Sequence, residues 1–186
     1  MLSDLGHDVT EGAPRWPEPG QFLTGFLTIW ATISAGVADL DVDAMEPHNA
    51  ANYAFAMATT AIDYAKAQMA LQLASRDFTP QFGTDFDVLV TPTMAVEPPE
   101  VGSIWAGSDQ DPGAPLLNAT PMAAYTAIFN VTGQPALSLP LHTSADGLPV
   151  GVQFASAPWQ EAVLLRLGGQ IERHAPWADR WPTLAG

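Results

Sequence analysis

The sequence predicts an α/β fold in which helices flank a sheet, and two observations carry that reading. Three short segments read as strands: the continuous apolar run FDVLVTP (Phe86–Pro92), then PALSLPL (Pro135–Leu141) and LPVGVQFA (Leu148–Ala155). They are rich in Val, Leu and Phe and bounded by proline or turn residues, as buried strands are. Longer segments alternate with them, and there apolar residues recur every three or four positions, the period of a helix with one apolar face. At 186 residues the chain fits one domain, long enough to bury about two thirds of its unfolded surface around one core.

Taken in order, residues 5–10 (LGHDVT) read as the end of a helix closed by Gly6 and followed by a short strand,. A chain that opens on the last turn of a helix leads us to expect its upstream part elsewhere. Gly12–Gly20 is a Pro-rich connection kept extended by Pro17 and Pro19,. A first helix covers about Gln21–Ala38, with Phe22, Phe26, Ile29, Ile33 and Val37 as its expected apolar stripe,. After Asp39–Met45, a second helical block starts near Pro47 and runs to about Asp77; Thr60, with Asp63 three residues on, offers a cap that divides it,. The strand Phe86–Pro92 leads into an irregular stretch, Pro92–Thr120, and loops of that length are usually functional or disordered. We read it as covering or lining a site. Pro121 opens a short helix that Gly133 closes,. Leu137, Leu139 and Leu141 then share one face of a strand, Asp146-Gly147 supplies the turn, and Val150, Val152 and Phe154 share a face of the next,. A last helix, about Pro158–Arg173, presents Val163, Leu167 and Ile171 with Leu164 beside them, ahead of a Trp/Pro tail,.

Composition narrows the function classes. Six basic against twenty acidic residues give a net charge of −14, which repels polyanions, so nucleic acid is not an expected partner. There is no cysteine, hence no disulfide framework, thiolate nucleophile or Cys-based zinc site. The N-terminus carries Asp4 and Asp8 and lacks a basic segment followed by an apolar run, so it does not read as a secretory signal; a cytoplasmic location is expected,. Gln21–Ala38 is uncharged over nearly a spanning length but contains Thr24, Thr28, Thr32, Ser34 and two glycines, and Asp39, Asp41 and Asp43 follow it. A buried helix rather than a membrane span is expected.

The chain has no GxSxG elbow, HExxH, Walker loop, GxGxxG or SxxK,. His7, His48, His142 and His174 have no ligand-pair spacing and read as surface or loop histidines, so no metal is expected,. The informative pattern is FDVLVTPT (Phe86–Thr93), FNVTGQPALSLPL (Phe129–Leu141), GLPVGVQFAS (Gly147–Ser156) and a helix after Pro158 carrying Glu161, Leu164 and Leu165. In this order and spacing it resembles the C-terminal part of the amidase signature family, serine amidohydrolases of the Ser–cis-Ser–Lys type. The opening LSDLGHDVTEGAP resembles the connection that follows the catalytic segment in that family. The resemblance extends over nearly the whole chain, most weakly between Gln21 and Phe78. The NVTGQPALSLP form is similar to general amidases, including nylon-oligomer cyclic-dimer hydrolases, more than to the transamidosome amidase subunit.

The resemblance implies a mixed sheet flanked by helices, with residues 1–186 forming a single partial domain. It also implies hydrolysis of carboxamide C–N bonds through an acyl-enzyme, a small-molecule amide substrate, and no cofactor. The family's Gly/Ser-rich signature, which supplies nucleophile, cis-serine and oxyanion donors, has no counterpart in these residues, and its lysine lies further upstream still. Lys66, the only lysine, has no serine at SxxK spacing and reads as laying its stem along the apolar positions Ile62, Met69 and Leu73 with its head in water. No catalytic residue is therefore assigned, and the chain is expected to be inactive alone. It reads as the C-terminal portion of an amidase, as one subunit of a split amidase completed by a chain carrying the N-terminal half, or as a non-enzymatic small-amide binding or scaffold module. Self-association through uncovered apolar surface is expected. The substrate-binding candidates are Trp105 in the long loop and Asn130, Gly133 and Gln134 at the turn before the second strand. Each has a structural alternative: Trp105 packing on its own loop, Asn130 capping a helix, Gly133 supplying a positive φ. Thr91, Thr93 and Gln153 are secondary candidates.

Overall fold

The computed structural model describes residues 1–37 and 40–180. The expected end of the first helix at Ala38, the start of the next connection at Asp39 and the close of the Trp/Pro tail lie outside the described residues. The elements are helices α1 (Pro19–Ala35), α2 (Pro47–Ala58) and α3 (Ala61–Phe78), strand β1 (Val88–Pro92), helices α4 (Ala114–Ala119) and α5 (Ala127–Thr132), strands β2 (Ala136–Thr143) and β3 (Pro149–Ser156), and helix α6 (Glu161–His174). Helices flank a sheet of order β1-β3-β2, so the α/β architecture is the one the sequence predicts. Both strand pairings in it are antiparallel.

β3 is the central strand and is buried on both faces from Gln153 to Ser156. Successive side chains of a strand point to opposite faces, and here they enter two different cores. Ala155 joins Phe78, Phe82, Ile128 and Phe129, which tie the sheet to α3 and α5. Phe154 joins Leu139, Leu164 and Ile171, which tie it to α6. α6 lies close to β2 because Gly168 has no side chain: a Cβ there would stand 2.8 Å from Leu137 Cδ2. At the β2 entrance Gly133 closes α5 with φ 68° and donates its N–H to the Phe129 carbonyl, a conformation that costs any other residue about 1 kcal/mol or more.

The helical layer begins at Glu18, whose carboxylate accepts from the N–H groups of Gly20 and Gln21. α2 and α3 are separate helices, divided as expected at Thr60: its hydroxyl accepts from Asp63 N–H while the Asp63 carboxylate accepts from Thr60 N–H,. The faces these helices bury differ from those the sequence suggests. α1 buries Gly25, Thr28 and Ala31, and α3 buries Ala67, Leu71 and Phe78. Ile33 is 66% exposed, Ile62 67% and Met69 62%. The cause is close packing of small residues: a Cβ on Gly25 would meet Leu71 side-chain carbons at 3.3 Å and the Ala67 carbonyl at 3.4 Å.

Three further differences bear on the site. Residues 7–10 form no strand; they are exposed and unpaired, with His7 hydrogen-bonded to Gln170 of α6. The long segment after β1 is not featureless, since it holds a 3-10 turn at Ser103–Trp105 and α4. The helix expected from Pro121 is instead a 3-10 turn, Thr120–Ala123, followed by the six residues of α5.

Candidate functional site

Trp105 is held by its own loop and by α4. Gly102 (φ 89°) and Gly107 (φ 81°) bracket the Ser103–Trp105 turn, and the Asn118 side-chain amide donates to the carbonyls of Ile104 (2.9 Å) and Ala106 (3.1 Å). Two hydrogen bonds from one side chain thus fix the backbone on both sides of the indole. Trp105 then leaves its own loop to meet α2: its ring and that of His48 lie edge to face with centroids 4.7 Å apart, a favoured geometry for rings with opposed edge and face charge. His48 is therefore neither a loop residue nor fully at the surface, but a half-buried residue in the first turn of α2.

Behind this pair is a cleft of about 450 Å³ between α1, α2 and the long loop. Leu27 and Trp30 of α1, Phe55 of α2, Ile104 of the 3-10 turn and Pro115 and Leu116 of α4 supply apolar walls, and Asn49 and Asn52 of α2 add two carboxamides. That volume and mixture, mostly apolar with a few polar groups, suits a small molecule. A second cleft, of about 600 Å³, runs between α1 and α3 and contains Asp63 and Lys66. Its hydroxyls are committed: Thr24 and Thr28 donate to the carbonyls of Gly20 and Thr24. The Asp63 carboxyl is held below the usual range by the Thr60 hydroxyl and then by the Thr60 backbone N–H. No serine lines this cleft, so Lys66 faces no nucleophile there,.

The other sequence candidates lie at the α5–β2 corner, and neither cleft includes them. Asn130 is exposed on α5 and Gly133 closes that helix. Gln134 is 5% exposed and its side-chain amide donates to the Ser156 carbonyl at 2.8 Å, while its buried Oε1 has no partner among the described residues. The structure thus separates Trp105 from the other three. Of the secondary candidates, Gln153 donates to Thr91 Oγ1 and to the Tyr125 carbonyl, joining β3, β1 and the approach to α5. The Thr93 and Ser138 hydroxyls bond at 2.6 Å across Gly151, where a Cβ would stand 2.8 Å from one oxygen and 2.9 Å from the other. Among the described residues no three His, Cys, Asp or Glu side chains group to hold a metal ion, and no helix is long and apolar enough to cross a membrane.

A family model described as Amidase matches residues 25–165. The chain belongs to the amidase signature family. It is 31% identical to the 6-aminohexanoate-cyclic-dimer hydrolase of Pseudomonas sp. (strain NK87), over 98% of this chain and 40% of that protein. It is 35% identical to the putative amidase AmiC of Mycobacterium leprae, over 96% of this chain and 39% of the other. A solved structure of 6-aminohexanoate cyclic dimer hydrolase complexed with substrate superimposes with a TM-score of 0.84 at 30% identity, covering 100% of this chain and 41% of its own. The chain thus spans about two fifths of the length of the amidases it matches.

Trp105 stands out in the sequence as an aromatic residue in a long loop, whereas His48, Asn52, Trp30 and Phe55, which line the same cleft, do not. Asn49 and Asn52 stand one turn apart on a helix otherwise rich in alanine, and that spacing was the one available signal.

Proposed function

We propose that these residues are the C-terminal portion of an amidase that hydrolyses carboxamide C–N bonds through an acyl-enzyme, and that they form one partial domain with the catalytic serines and lysine supplied from outside it. The carrying observation is the family match over residues 25–165, joined to coverage of about two fifths of the relatives' length. Under this reading the chain contributes substrate-binding surface, Trp105 in the cleft and Asn130, Gly133 and Gln134 at the α5–β2 corner, and no nucleophile or base. Its substrate is a small amide, its place of action the cytoplasm, and it is inactive alone. The outward-facing apolar residues of α1 and α3 are surface that an N-terminal half would cover, whether it lies on the same chain or, in the alternative reading of a split amidase, on a second one,.

The test is to measure amine or ammonia release from simple carboxamides by the chain alone and after mixing with an N-terminal amidase portion that carries the Ser–cis-Ser–Lys segment. Silence alone and hydrolysis after mixing is the expected result. Turnover by the chain alone, abolished by changing one of its own serines, would overturn it. Saturable amide binding with no hydrolysis under either condition would instead favour a binding or scaffold module.

A further inference from the structure

We infer that residues 5–18 are a strap seated in advance on the folded body by two glutamine side chains, and that Gln81 is the positioning residue of its far end. The serine-bearing portion of the amidase then docks on a preset surface instead of a loose tether, a consequence that rests on the amidase reading for the identity of the partner.

Gln81 is 1% exposed and ends the 3-10 turn Thr79–Gln81 that follows α3. Its Oε1 accepts from the Arg15 N–H at 2.6 Å, and its Nε2 donates to the carbonyls of Arg15 (3.2 Å) and Phe78 (3.1 Å). One carboxamide thus takes both backbone groups of Arg15, as an adjacent strand would, and ties them to the end of α3. Because the side chain that makes these bonds is buried, removing it would leave polar atoms with no water to replace the partner. The Arg15–Asp85 ion pair beside them, 3.0 Å long, is exposed on both sides and adds little,. Trp16, next in the chain, stacks on the buried Phe78 with centroids 5.4 Å apart and leans on Tyr125 at 6.1 Å. At the near end Gln170 of α6 acts in the same way: its Nε2 donates to the Leu5 carbonyl at 3.2 Å and its Oε1 accepts from His7 Nε2 at 2.9 Å. Leu2 and Leu5 pack there against the core between β3 and α6, whereas Phe78 belongs to the core on the other face of the sheet. The strap therefore crosses from one face of the sheet to the other with both ends fixed, while residues 8–13 between the clasps are exposed. The chain spans about two fifths of the length of its amidase relatives, so under the amidase reading a larger portion docks on this body, and a fixed strap lowers the ordering cost of that docking.

The experiment uses the 186-residue chain and its Gln81→Met variant, in which a side chain of similar shape carries neither the N–H donor nor the carbonyl acceptor. In the parent, the Arg15 amide should exchange its hydrogen at least about tenfold more slowly than those of residues 9–12. Trypsin should cut after Arg15 at least about tenfold faster in Gln81→Met than in the parent, with helical circular dichroism unchanged and cleavage after Lys66 and Arg166 unaltered. On mixing with an N-terminal amidase portion, the concentration of that portion giving half-maximal hydrolysis should rise about fivefold or more in the variant, while the rate at saturation changes by less than about twofold. A merely destabilised fold would lower the saturated rate instead. Gln170→Met, which frees the other clasp, should raise the same half-maximal concentration and keeps the test decisive if Gln81→Met does not fold. An Arg15 amide that exchanges as fast as its neighbours, or equal trypsin cleavage of parent and variant, would overturn the seat; a half-maximal concentration that does not move would overturn the positioning role. The absence of any hydrolysis after mixing would remove the proposed function and with it the docking partner, while exchange and cleavage, read on the chain alone, still decide the seat.

Discussion

In the sheet layer, Phe154, Leu164 and Ile171 are closed off from water between β3 and α6. In the helical layer, α1 and α3 press glycine, threonine and alanine against one another and leave Ile33, Ile62 and Met69 outside. Both layers obey close packing, but they spend their large apolar side chains differently. The sheet layer uses most of them internally, between β3 and α6. The helical layer achieves a short interhelical distance with small residues and, although Leu71 and Phe78 are buried, leaves Ile33, Ile62 and Met69 on an outer surface, which is where an interaction rather than self-stability is expected,.

The largest predicted effect lies in the sheet layer. Phe154→Ala should destabilise the chain by about 3–5 kcal/mol in urea or thermal unfolding; a loss below about 1 kcal/mol would mean that the sheet core is not the main source of stability. Next comes the seam of the helical layer, where Gly25→Val would push α1 from Leu71 and should cost about 1–3 kcal/mol,. Gly133→Ala should cost about 1–2 kcal/mol, because only glycine holds its positive φ without strain,. On the outer face, Ile62→Ser and Met69→Gln should change monomer stability by no more than about 0.5 kcal/mol while lowering any tendency to self-associate on size exclusion. A loss of about 2 kcal/mol at either position would show that this face is already covered.

The smallest effect is electrostatic. The Asp63 carboxyl is held below its usual range by the Thr60 hydroxyl and backbone N–H, so its folded pKa lies below its unfolded one. The cap then stabilises α3 fully at pH values above the ordinary carboxyl pKa, and the contribution disappears as pH falls through the lowered folded value. Thr60→Ala should accordingly be less stable than the parent near neutrality, and the two should converge as acid is added, which unfolding curves at successive pH values can show.

These two layers also differ in what could be read from sequence. β2 and β3 were legible because period-two alternation and the Asp146-Gly147 turn are local signals, and Leu137, Leu139 and Phe154 fall where that alternation places them. The Thr60 cap was legible for the same reason. The buried faces of α1 and α3 were not, because the stripe rule assumes that large residues point inward, whereas Gly25 and Ala67 reverse that by letting the backbones approach. Trp105 stood out as an aromatic residue in a long loop. Its partners His48 and Asn52 did not, since they join it only through tertiary packing of α2 against the 3-10 turn. For Gln134 the sequence shows a polar residue beside a turn, but not that its Nε2 is held by the Ser156 carbonyl while its buried Oε1 has no partner among the described residues.

Pro140 lies within β2 at the break in register between Leu139 and His142. It has no N–H to offer another strand, and its carbonyl is taken by Arg180 Nη1 at 3.3 Å. β1, at the other end of the sheet, has a strand neighbour on one side only among the described residues. The two margins of the sheet therefore differ in kind: an extended segment would meet a proline, a bulge and a guanidinium at β2, whereas Val88–Thr91 of β1 carries none of these.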